Sequence, residues 1–367
     1  MKRKVHVELG DRSYDVTVGG GLLPELGTAV ESIGGARTAV VIADIRVAAL
    51  FGPEVLDSLD RAGVAAKILS FPAGEEHKTL ATCSDLYDAL FALAPPIDRR
   101  TVIVALGGGV SGDVAGFIAA TALRGLRFVQ CPTTLLAAVD ASVGGKTGVD
   151  HPAGKNLIGA FHQPRAVLID VDLLKTLPDS ELANGLAECV KHGVIRDAGL
   201  LDFIENRAKD ILSREPEALT ELIARNVAIK AAVVSADERE AGERMHLNFG
   251  HTIGHALENY LGYGRISHGL AVALGMKAAC RIAVARGLFD AASAGRVERL
   301  LARLGLSVVV GGFGPREIWP LMLRDKKAQA GKVRMVLPVR LGAVAVYDDI
   351  TPEEVQRAVE FLTEGSR

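Results

Sequence analysis

The sequence predicts an α/β domain with a parallel sheet, followed by a mainly α-helical domain. The first half of the 367-residue chain contains short, continuous apolar segments separated by segments with helical patterning. Strands that are apolar along their whole length are typical of parallel sheets covered on both faces by helices. Near Pro178 the pattern changes, and apolar residues then recur at helical spacing. We therefore predict two domains, at residues 1–178 and 179–367.

The chain opens with two segments that predict a β-hairpin, 4–8 and 14–18, on either side of Gly10 and Asp11. Five apolar segments then predict the parallel strands: 38–43, 66–71, 101–106, 127–131 and 166–171. The segment 101–106 gives the strongest signal, because it is continuous, apolar and β-branched.

The second half begins with a helix-start signal, in which segment 178–181 combines Pro, Asp, Ser and Glu. From there to about residue 303 the apolar residues keep a helical period. Two segments near the C-terminus, 335–338 and 343–346, predict a late hairpin around an Arg-Leu-Gly turn.

Composition excludes several classes of protein. Lys and Arg total 42 and Asp and Glu total 44, which gives no global basic footprint for nucleic acid. The N-terminus does not read as a signal peptide, and we expect no apolar run to approach a membrane span. Cys83, Cys131, Cys189 and Cys280 form no CxxC pair and are expected to be reduced core residues. We expect a cytoplasmic protein with neither a nucleic-acid nor a membrane partner.

A glycine-rich loop follows the strongest predicted strand and opens a helix. Gly107, Gly109 and Gly112 fit the G-x-G-x-x-G pattern of dinucleotide sites. The acidic residue usually found about 20 positions later is missing. Asp44, at the end of an earlier strand, could replace it in a rearranged nucleotide fold. The alternative is a glycine turn that only packs a helix on the sheet.

A second glycine-rich segment, 140–147, has a Walker-like ending. A true P-loop needs glycine where Asp140 stands, so an ATPase is excluded. Lys146, together with Lys155 and Asn156, suits a small phosphate group, although the segment could also be a solvated surface loop.

A metal site is indicated by His251 and His255, which share one face of a predicted helix. Threonine occupies the position of the glutamate in zinc proteases, so a metalloprotease is unsupported. His268 follows, and Glu188 lies upstream in an apolar stretch. One glutamate and two histidines form an accepted catalytic zinc set. The pattern leaves several choices of histidine open, including His192 as the partner of Glu188.

Together and in this order, these segments resemble the 3-dehydroquinate synthase family. The matching segments are 107–113, 124–125, 132–136, 139–147, 154–161, 185–193, 237–240, 247–258, 267–269 and 324–327. The resemblance implies a Rossmann-like NAD-binding domain, a C-terminal helical domain, an active site in the cleft between them, and a homodimer. It also implies NAD and Zn²⁺ as cofactors, with Co²⁺ as an alternative metal.

The implied reaction converts 3-deoxy-D-arabino-heptulosonate 7-phosphate to 3-dehydroquinate and phosphate in the shikimate pathway. It combines transient oxidation by NAD, phosphate elimination, re-reduction and intramolecular aldol cyclisation.

The resemblance also assigns roles to individual residues. The implied metal ligands are Glu188, His251 and His268. The implied NAD contacts are Asp44, Glu75, Lys78, Gly109, Val110, Asp113, Thr133, Thr134, Lys146, Lys155, Leu173, Leu174, Lys175 and Thr176. The implied substrate contacts are Arg124, Asp140, Lys146, Asn156, Lys191, Lys230, Arg244, Asn248 and Lys326, with Lys327 as the alternative to Lys326. The implied catalytic residues are Lys146, Lys191, Arg244, Asn248 and His255. Arg124 matches an arginine that reaches the partner subunit's phosphate site.

Three other functions compete with this interpretation. A metal-dependent polyol dehydrogenase would explain the glycine loop and the histidines, but it would not need the cations Lys146, Lys155, Lys230, Arg244 and Lys326. Another sugar phosphate cyclase could act on a substrate without the carboxylate, against which Arg244 and Lys230 argue. A non-enzymatic NAD-binding module would leave the metal and anion residues unexplained.

Overall fold

The computed structural model describes residues 1–240, 242–262, 265–306, 314–324 and 333–364. It separates into two compact units. The first contains Met1–Pro178 and Arg214–Ser235, and the second contains Asp179–Ser213 and Ala236–Arg367.

The described residues form eleven strands and twelve α-helices. The strands are β1 (Lys2–Val7), β2 (Tyr14–Gly19), β3 (Thr38–Asp44), β4 (Ala65–Phe71), β5 (Val102–Gly107), β6 (Arg127–Pro132), β7 (Lys146–His151), β8 (Gly154–Phe161), β9 (Ala166–Asp170), β10 (Met335–Arg340) and β11 (Ala343–Tyr347). The helices are α1 (Leu26–Ser32), α2 (Ile45–Arg61), α3 (Leu80–Phe91), α4 (Gly109–Thr121), α5 (Asp179–Arg196), α6 (Ala198–Leu212), α7 (Pro216–Ala236), α8 (His251–Leu261), α9 (His268–Ala285), α10 (Ala291–Arg303), α11 (Pro315–Arg324) and α12 (Pro352–Glu364).

The first unit is built on a seven-stranded sheet with the order β1-β2-β9-β6-β5-β3-β4. All neighbours pair in parallel except β1 and β2, which form the predicted N-terminal hairpin. The strands β4-β3-β5-β6-β9 follow the flavodoxin-like order 2-1-3-4-5, whose switch point lies between β3 and β5. The predicted parallel α/β fold is confirmed, with each of the five predicted parallel strands in place.

The central strand β5 is buried on both faces. Its residues Val102, Val104 and Leu106 belong to one hydrophobic cluster, and Ile103 and Ala105 belong to the cluster on the other side. Because successive side chains of a strand point to opposite faces, a strand covered by helices on both sides must be apolar throughout. This explains why it was the strongest strand signal in the sequence.

Helix α7 groups with the first unit although it follows α5 and α6 in the chain. Arg3 pairs with Glu221 at 3.0 Å, and the backbone N–H of Glu8 donates to Ser235 Oγ at 3.2 Å. The guanidinium of Arg214 donates to the carbonyl of Leu177 at 2.7 Å. These contacts fix the segment 214–235 to the sheet domain.

The hairpin of β7 and β8 was not predicted. The sequence suggested a glycine-rich loop there, but the two strands pair antiparallel from Lys146 to Phe161. Gly148 and Gly159 face each other, and a Cβ on either would overlap backbone atoms of the opposite strand. Glycine allows this close approach but weakens the strand pattern in the sequence, which is why periodicity missed it.

The second unit is helical, with α5, α8 and α9 packed together, and it also contains the predicted late hairpin of β10 and β11. Helix α9 is long and apolar enough to cross a membrane by length and composition, so the expectation that no run approaches that length was wrong. Since 67% of it is buried inside the structure, it has the features of a core helix, which passes the same test.

The four cysteines are buried free thiols, as predicted. Burial raises the pKa of the Cys83 thiol to about 11 and that of Cys131 to about 12. The thiolate is the reactive form, so these side chains act as small apolar core residues.

Two glycines allow α8 and α9 to pack closely, and this contact provides a test of the helical core. A Cβ on Gly275 of α9 would overlap the carbonyl oxygen of Gly250, which precedes α8 with φ of 80°. Overpacking of this kind costs about 1–3 kcal/mol. We expect Gly275→Ala to lower the free energy of unfolding by that amount in urea denaturation.

The matched control is Gly295→Ala in α10. There a new Cβ meets the end of the flexible Arg299 side chain at 3.1 Å. We expect this variant to be neutral or more stable by up to about 1 kcal/mol, because alanine favours helix more than glycine does. Equal stability of the two variants would contradict the packing argument.

Candidate functional site

The glycine loop lies at the carboxyl end of β5 and leads directly into α4. Gly107 has φ of 148°, and a Cβ on it would lie 2.5 Å from Ser111 Oγ. The backbone N–H of Thr133, after β6, donates to the carbonyl of Gly107 at 2.9 Å. A Cβ on Gly108 would lie 3.1 Å from Thr134. The loop therefore packs without side chains, and the first turn of α4 presents N–H groups that have no acceptor within the helix and suit a phosphate.

Asp44 lies at the same edge of the sheet, at the end of β3. Its carboxylate caps α2 by accepting the N–H groups of Arg46 and Val47 at 2.9 and 3.1 Å. It also lies 3.8 Å from the position that a Cβ of Gly107 would take. Because β3 and β5 flank the switch point, an acid on β3 can serve the loop on β5. This geometry agrees with the prediction that Asp44 replaces the acid missing after the loop.

A buried ammonium group connects several predicted site residues. Lys78 Nζ lies 2.5 Å from Asp113 Oδ2 and 2.6 Å from Asn156 Oδ1. Burial alone would lower the pKa of Lys78, but the carboxylates of Asp113 and Glu75 outweigh it and raise that pKa above its usual value. Lys155 Nζ lies 3.3 Å from Glu75 Oε1. The structure thus brings five predicted residues into one charged cluster.

The other predicted residues of the first unit are more dispersed. Lys230 is buried on α7, and its Nζ donates to the carboxylate of Asp140 at 2.6 Å. Lys146 is exposed at the start of β7, and Arg124 is exposed with φ of 63°. The remaining predicted residues lie on α4 or on the turn 171–176: Val110, Leu173, Leu174, Lys175 and Thr176.

The second unit brings Glu188, His251 and His268 together. One possible ligand atom from each lies within 4.8 Å of the others. Glu188 Oε1 is 3.5 Å from His251 Nε2 and 3.8 Å from His268 Nε2. Glu188 is fully buried on α5, whereas the histidines begin α8 and α9 and remain partly accessible.

The donor set fits a divalent metal. Glu188 Oε1 accepts no hydrogen bond from the described part of the chain, although its neighbour Oε2 contacts Lys191 Nζ. Each histidine also has its Nδ1 near an oxygen, that of Phe249 at 3.1 Å for His251 and that of Glu258 at 3.3 Å for His268. Both Nε2 atoms are thereby oriented towards the buried carboxylate, as in catalytic zinc sites.

The neighbouring predicted residues surround this cluster or lie close in sequence. The ring of His255 is 5.3 Å from that of His251, and a second possible donor group combines it with Glu258 and His268. Buried Arg244 donates to the carbonyl of Glu238 at 2.5 Å.

Asn248 donates to Glu240 Oε1 at 3.3 Å. Lys326 and Lys327 lie outside the described residues.

Three residues in this geometry were not singled out from the sequence. Asp150 accepts the N–H of Asn156 at 2.7 Å, Asn184 accepts the N–H of Gly269, and Glu258 contacts His268. Glu258 follows His251 by seven positions, so helical spacing could have found it. Asp150 and Asn184 act through tertiary contacts that no local pattern shows.

Comparison with known proteins identifies the family. The family model "3-dehydroquinate synthase N-terminal" matches residues 68–184, and "3-dehydroquinate synthase C-terminal" matches residues 185–328. The 3-dehydroquinate synthase of Symbiobacterium thermophilum is 46% identical over 362 residues, covering 97% of this chain and 99% of the relative. That of Geobacter metallireducens is 48% identical, covering 93% and 94%.

The chain belongs to the 3-dehydroquinate synthase family.

Solved structures agree with this family fold. The 2-epi-5-epi-valiolone synthase of Streptomyces hygroscopicus, with NAD⁺ and Zn²⁺ bound, superposes with a TM-score of 0.88 at 30% identity, covering 98% of this chain and 99% of the other. A 2-deoxy-scyllo-inosose synthase complexed with carbaglucose-6-phosphate, NAD⁺ and Co²⁺ gives 0.87 at 29% identity, with 99% of both chains covered. The glycerol dehydrogenase of Schizosaccharomyces pombe gives 0.68 at 19% identity, covers 96% of this chain and 89% of the other, and shares the fold alone.

The metal cluster is tested by ligand-linked stability. A ligand at 100 times its dissociation constant stabilises the folded state by about 2.7 kcal/mol. We expect Zn²⁺ or Co²⁺ to raise the melting temperature of the metal-free protein, and Glu188→Gln and His251→Ala to lose most of that shift. The exposed surface histidine of β1 is the control, so His6→Ala should keep it. A full shift in His251→Ala would remove His251 from the site.

Proposed function

We propose that this enzyme converts 3-deoxy-D-arabino-heptulosonate 7-phosphate to 3-dehydroquinate and phosphate, with NAD and one divalent metal bound. The observation that carries the proposal is the cluster of Glu188, His251 and His268 in a chain that matches the family over nearly its whole length. The glycine loop at the sheet's switch point supports the NAD part of the proposal.

The proposed cofactors suit the residues that are present. When bound, NAD takes a hydride from the substrate and returns it, and the metal polarises substrate oxygens. We propose that Glu188, His251 and His268 hold the metal, and that Asp44 and the loop from Gly107 hold the dinucleotide. The solved cyclase structures with NAD⁺ and either Zn²⁺ or Co²⁺ support both proposed cofactors.

The remaining residues are proposed to bind and orient an acidic substrate. Its phosphate and carboxylate carry about three negative charges near neutral pH. Cations held at fixed positions would balance these charges, and we assign this role to Lys146, Lys191, Lys230, Arg244, Lys326 and the partner subunit's Arg124. Asp140, Asn156, Asn248 and His255 are proposed to hold the substrate's hydroxyl and phosphate oxygens. Lys230 is anchored by Asp140, so its ammonium is held in place before substrate arrives.

The rival activities have less support. The polyol and alcohol dehydrogenase relatives share only the fold, at 14–19% identity. The two sugar phosphate cyclases of solved structure resemble this chain more than the dehydrogenases do, at 29–30% identity. The curated relatives are more similar still, at 41–48% identity, and they are named 3-dehydroquinate synthase. Buried Arg244 also favours a substrate that carries a carboxylate.

We further propose a homodimer in the cytoplasm, in which Arg124 completes the neighbour's phosphate site. Arg124 is exposed, and it follows Leu123 in a pair of non-glycine residues with positive φ. Two large apolar side chains on β8, Leu157 and Phe161, are also exposed, at 37% and 49%. An exposed arginine and exposed large apolar side chains on the same unit both support a subunit contact.

The redox-neutral reaction predicts a specific kinetic signature. With the heptulosonate phosphate and catalytic amounts of NAD⁺, we expect sustained phosphate release without net accumulation of NADH at 340 nm. Chelator should stop phosphate release, and added Zn²⁺ or Co²⁺ should restore it. Growth of NADH in step with product would instead indicate a dehydrogenase.

The role of Arg124 across the dimer can be tested by complementation. A purified heterodimer of an Arg124→Ala chain and a His251→Ala chain contains one undamaged and one doubly damaged site if Arg124 acts in trans. We expect it to recover about half of the wild-type activity, since one of its two sites is complete. Each homodimeric parent should be nearly inactive.

The control heterodimer combines His251→Ala with Glu188→Gln. Both lesions act within their own chain, so no recovery is expected. Absence of recovery in the Arg124 heterodimer as well would mean that Arg124 acts in its own subunit.

A further inference from the structure

Glu258 is a buried carboxylate that the proposed reaction does not use. It lies on α8, with 7% of its side chain exposed, and its Oε2 is 3.3 Å from Nδ1 of His268. Burying a carboxylate is costly unless it is hydrogen-bonded or paired. Its retention in the core next to a proposed metal ligand therefore needs a physical reason.

The two ring nitrogens of His268 have different neighbours, and this supplies the reason. Nδ1 lies beside Glu258, whereas Nε2 lies 3.8 Å from Glu188 Oε1. A neutral imidazole carries one N–H and one lone pair. If Nδ1 donates its hydrogen to Glu258, the lone pair is on Nε2 and faces the position between the ligand atoms. A metal-ligating histidine needs this tautomer and this ring orientation.

The other histidine achieves the same orientation through the backbone. His251 Nδ1 lies 3.1 Å from the carbonyl oxygen of Phe249, only two residues earlier. His268 is more accessible, with 30% of its side chain exposed against 13% for His251. The ring of His268, which begins α9, instead contacts Glu258, a side chain of α8. Glu258 can be substituted without altering the backbone next to His268.

The backbone next to His268 is fixed separately. Asn184, four residues before Glu188 on α5, accepts the N–H of Gly269. A Cβ on Gly269 would lie 2.7 Å from Asn184 Cα, so the start of α9 packs directly on α5. Removing the Glu258 carboxylate should thus free the ring of His268 while leaving the start of its helix in place.

We propose that Glu258 is a positioning residue that fixes the tautomer and the ring orientation of His268 for metal binding. This inference rests on the proposed metal site. Glu258 acts through His268, and it does not touch the metal. The competing arrangement makes Glu258 a direct ligand, in the group formed with His255 and His268. That arrangement would leave the buried Glu188 unused.

The test compares Glu258→Ala with Glu258→Gln. Affinity for Zn²⁺ is measured by competition with a chromogenic chelator, and the Co²⁺-loaded proteins are compared by their visible absorption. We expect Glu258→Ala to bind Zn²⁺ about 10–100-fold more weakly and to change the Co²⁺ spectrum. Glu258→Gln keeps an acceptor oxygen, so its loss of affinity should be smaller. If Glu258→Ala does not fold, the Co²⁺ spectrum and affinity of Glu258→Gln carry the test.

Two controls separate this inference from the proposed site. Glu298→Gln alters another largely buried acid of the same unit, which pairs with Arg281 at 2.9 Å, and should leave Zn²⁺ affinity unchanged. Glu188→Gln should lose metal binding outright. Suppose that Glu258→Ala keeps its Zn²⁺ affinity and Co²⁺ spectrum while Glu188→Gln no longer binds the metal. That result would overturn only the role of Glu258. Normal binding by Glu188→Gln with none by Glu258→Gln would overturn the proposed site and favour Glu258 as a ligand.

Discussion

The burial of the Glu188 carboxylate is the constraint on which the helical unit depends. A charge removed from water must be compensated nearby, or the group will be protonated or the structure will open. Lys191, one turn along α5 and also buried, compensates one oxygen. The other oxygen faces the Nε2 atoms of His251 and His268. That oxygen accepts no hydrogen bond from the described residues, and a divalent cation among the three groups would take up its lone pairs together with those of the two imidazoles.

This constraint also accounts for the packing of α8 and α9. Each begins with a proposed ligand, so their N-termini must come close to α5 and to each other. The approach requires backbone contact at Gly250, Gly269 and Gly275, where any side chain would overlap a neighbour's backbone. Gly269 and Gly275 lie within α9, where glycine costs helix stability through backbone entropy, whereas Gly250 has a φ of 80° that favours glycine. Close backbone packing at the starts of α8 and α9, rather than helix propensity, therefore accounts for these residues.

The sequence could predict what is local and periodic. Continuous apolar segments such as β5 and β6 predict strands that are buried on both faces. The i, i+4 spacing places His251 and His255 on one face of a helix. It could not predict the β7–β8 hairpin, since Gly148 and Gly159 weaken the strand signal in order to pack closely. Nor could it predict that α7 groups with the sheet, because ion pairs such as Arg3–Glu221 join residues far apart in the chain. The set of metal ligands was predicted from the resemblance to the family, because the spacing of the histidines left several choices of ligand open.

The Lys78 cluster shows why some of these residue types are so restricted. Asn156 has φ of 54°, a conformation that glycine, asparagine and aspartate adopt most readily. Its N–H donates to Asp150, and its side-chain oxygen accepts from Lys78. Glycine would satisfy the backbone but would remove that oxygen, and aspartate would add a fourth carboxylate to Asp113, Glu75 and Asp150 around Lys78. Of the three residues, only asparagine combines the positive φ with an acceptor oxygen on an uncharged side chain. Lys78 can therefore remain charged while it bonds a proposed cofactor residue and a proposed substrate residue at the same time.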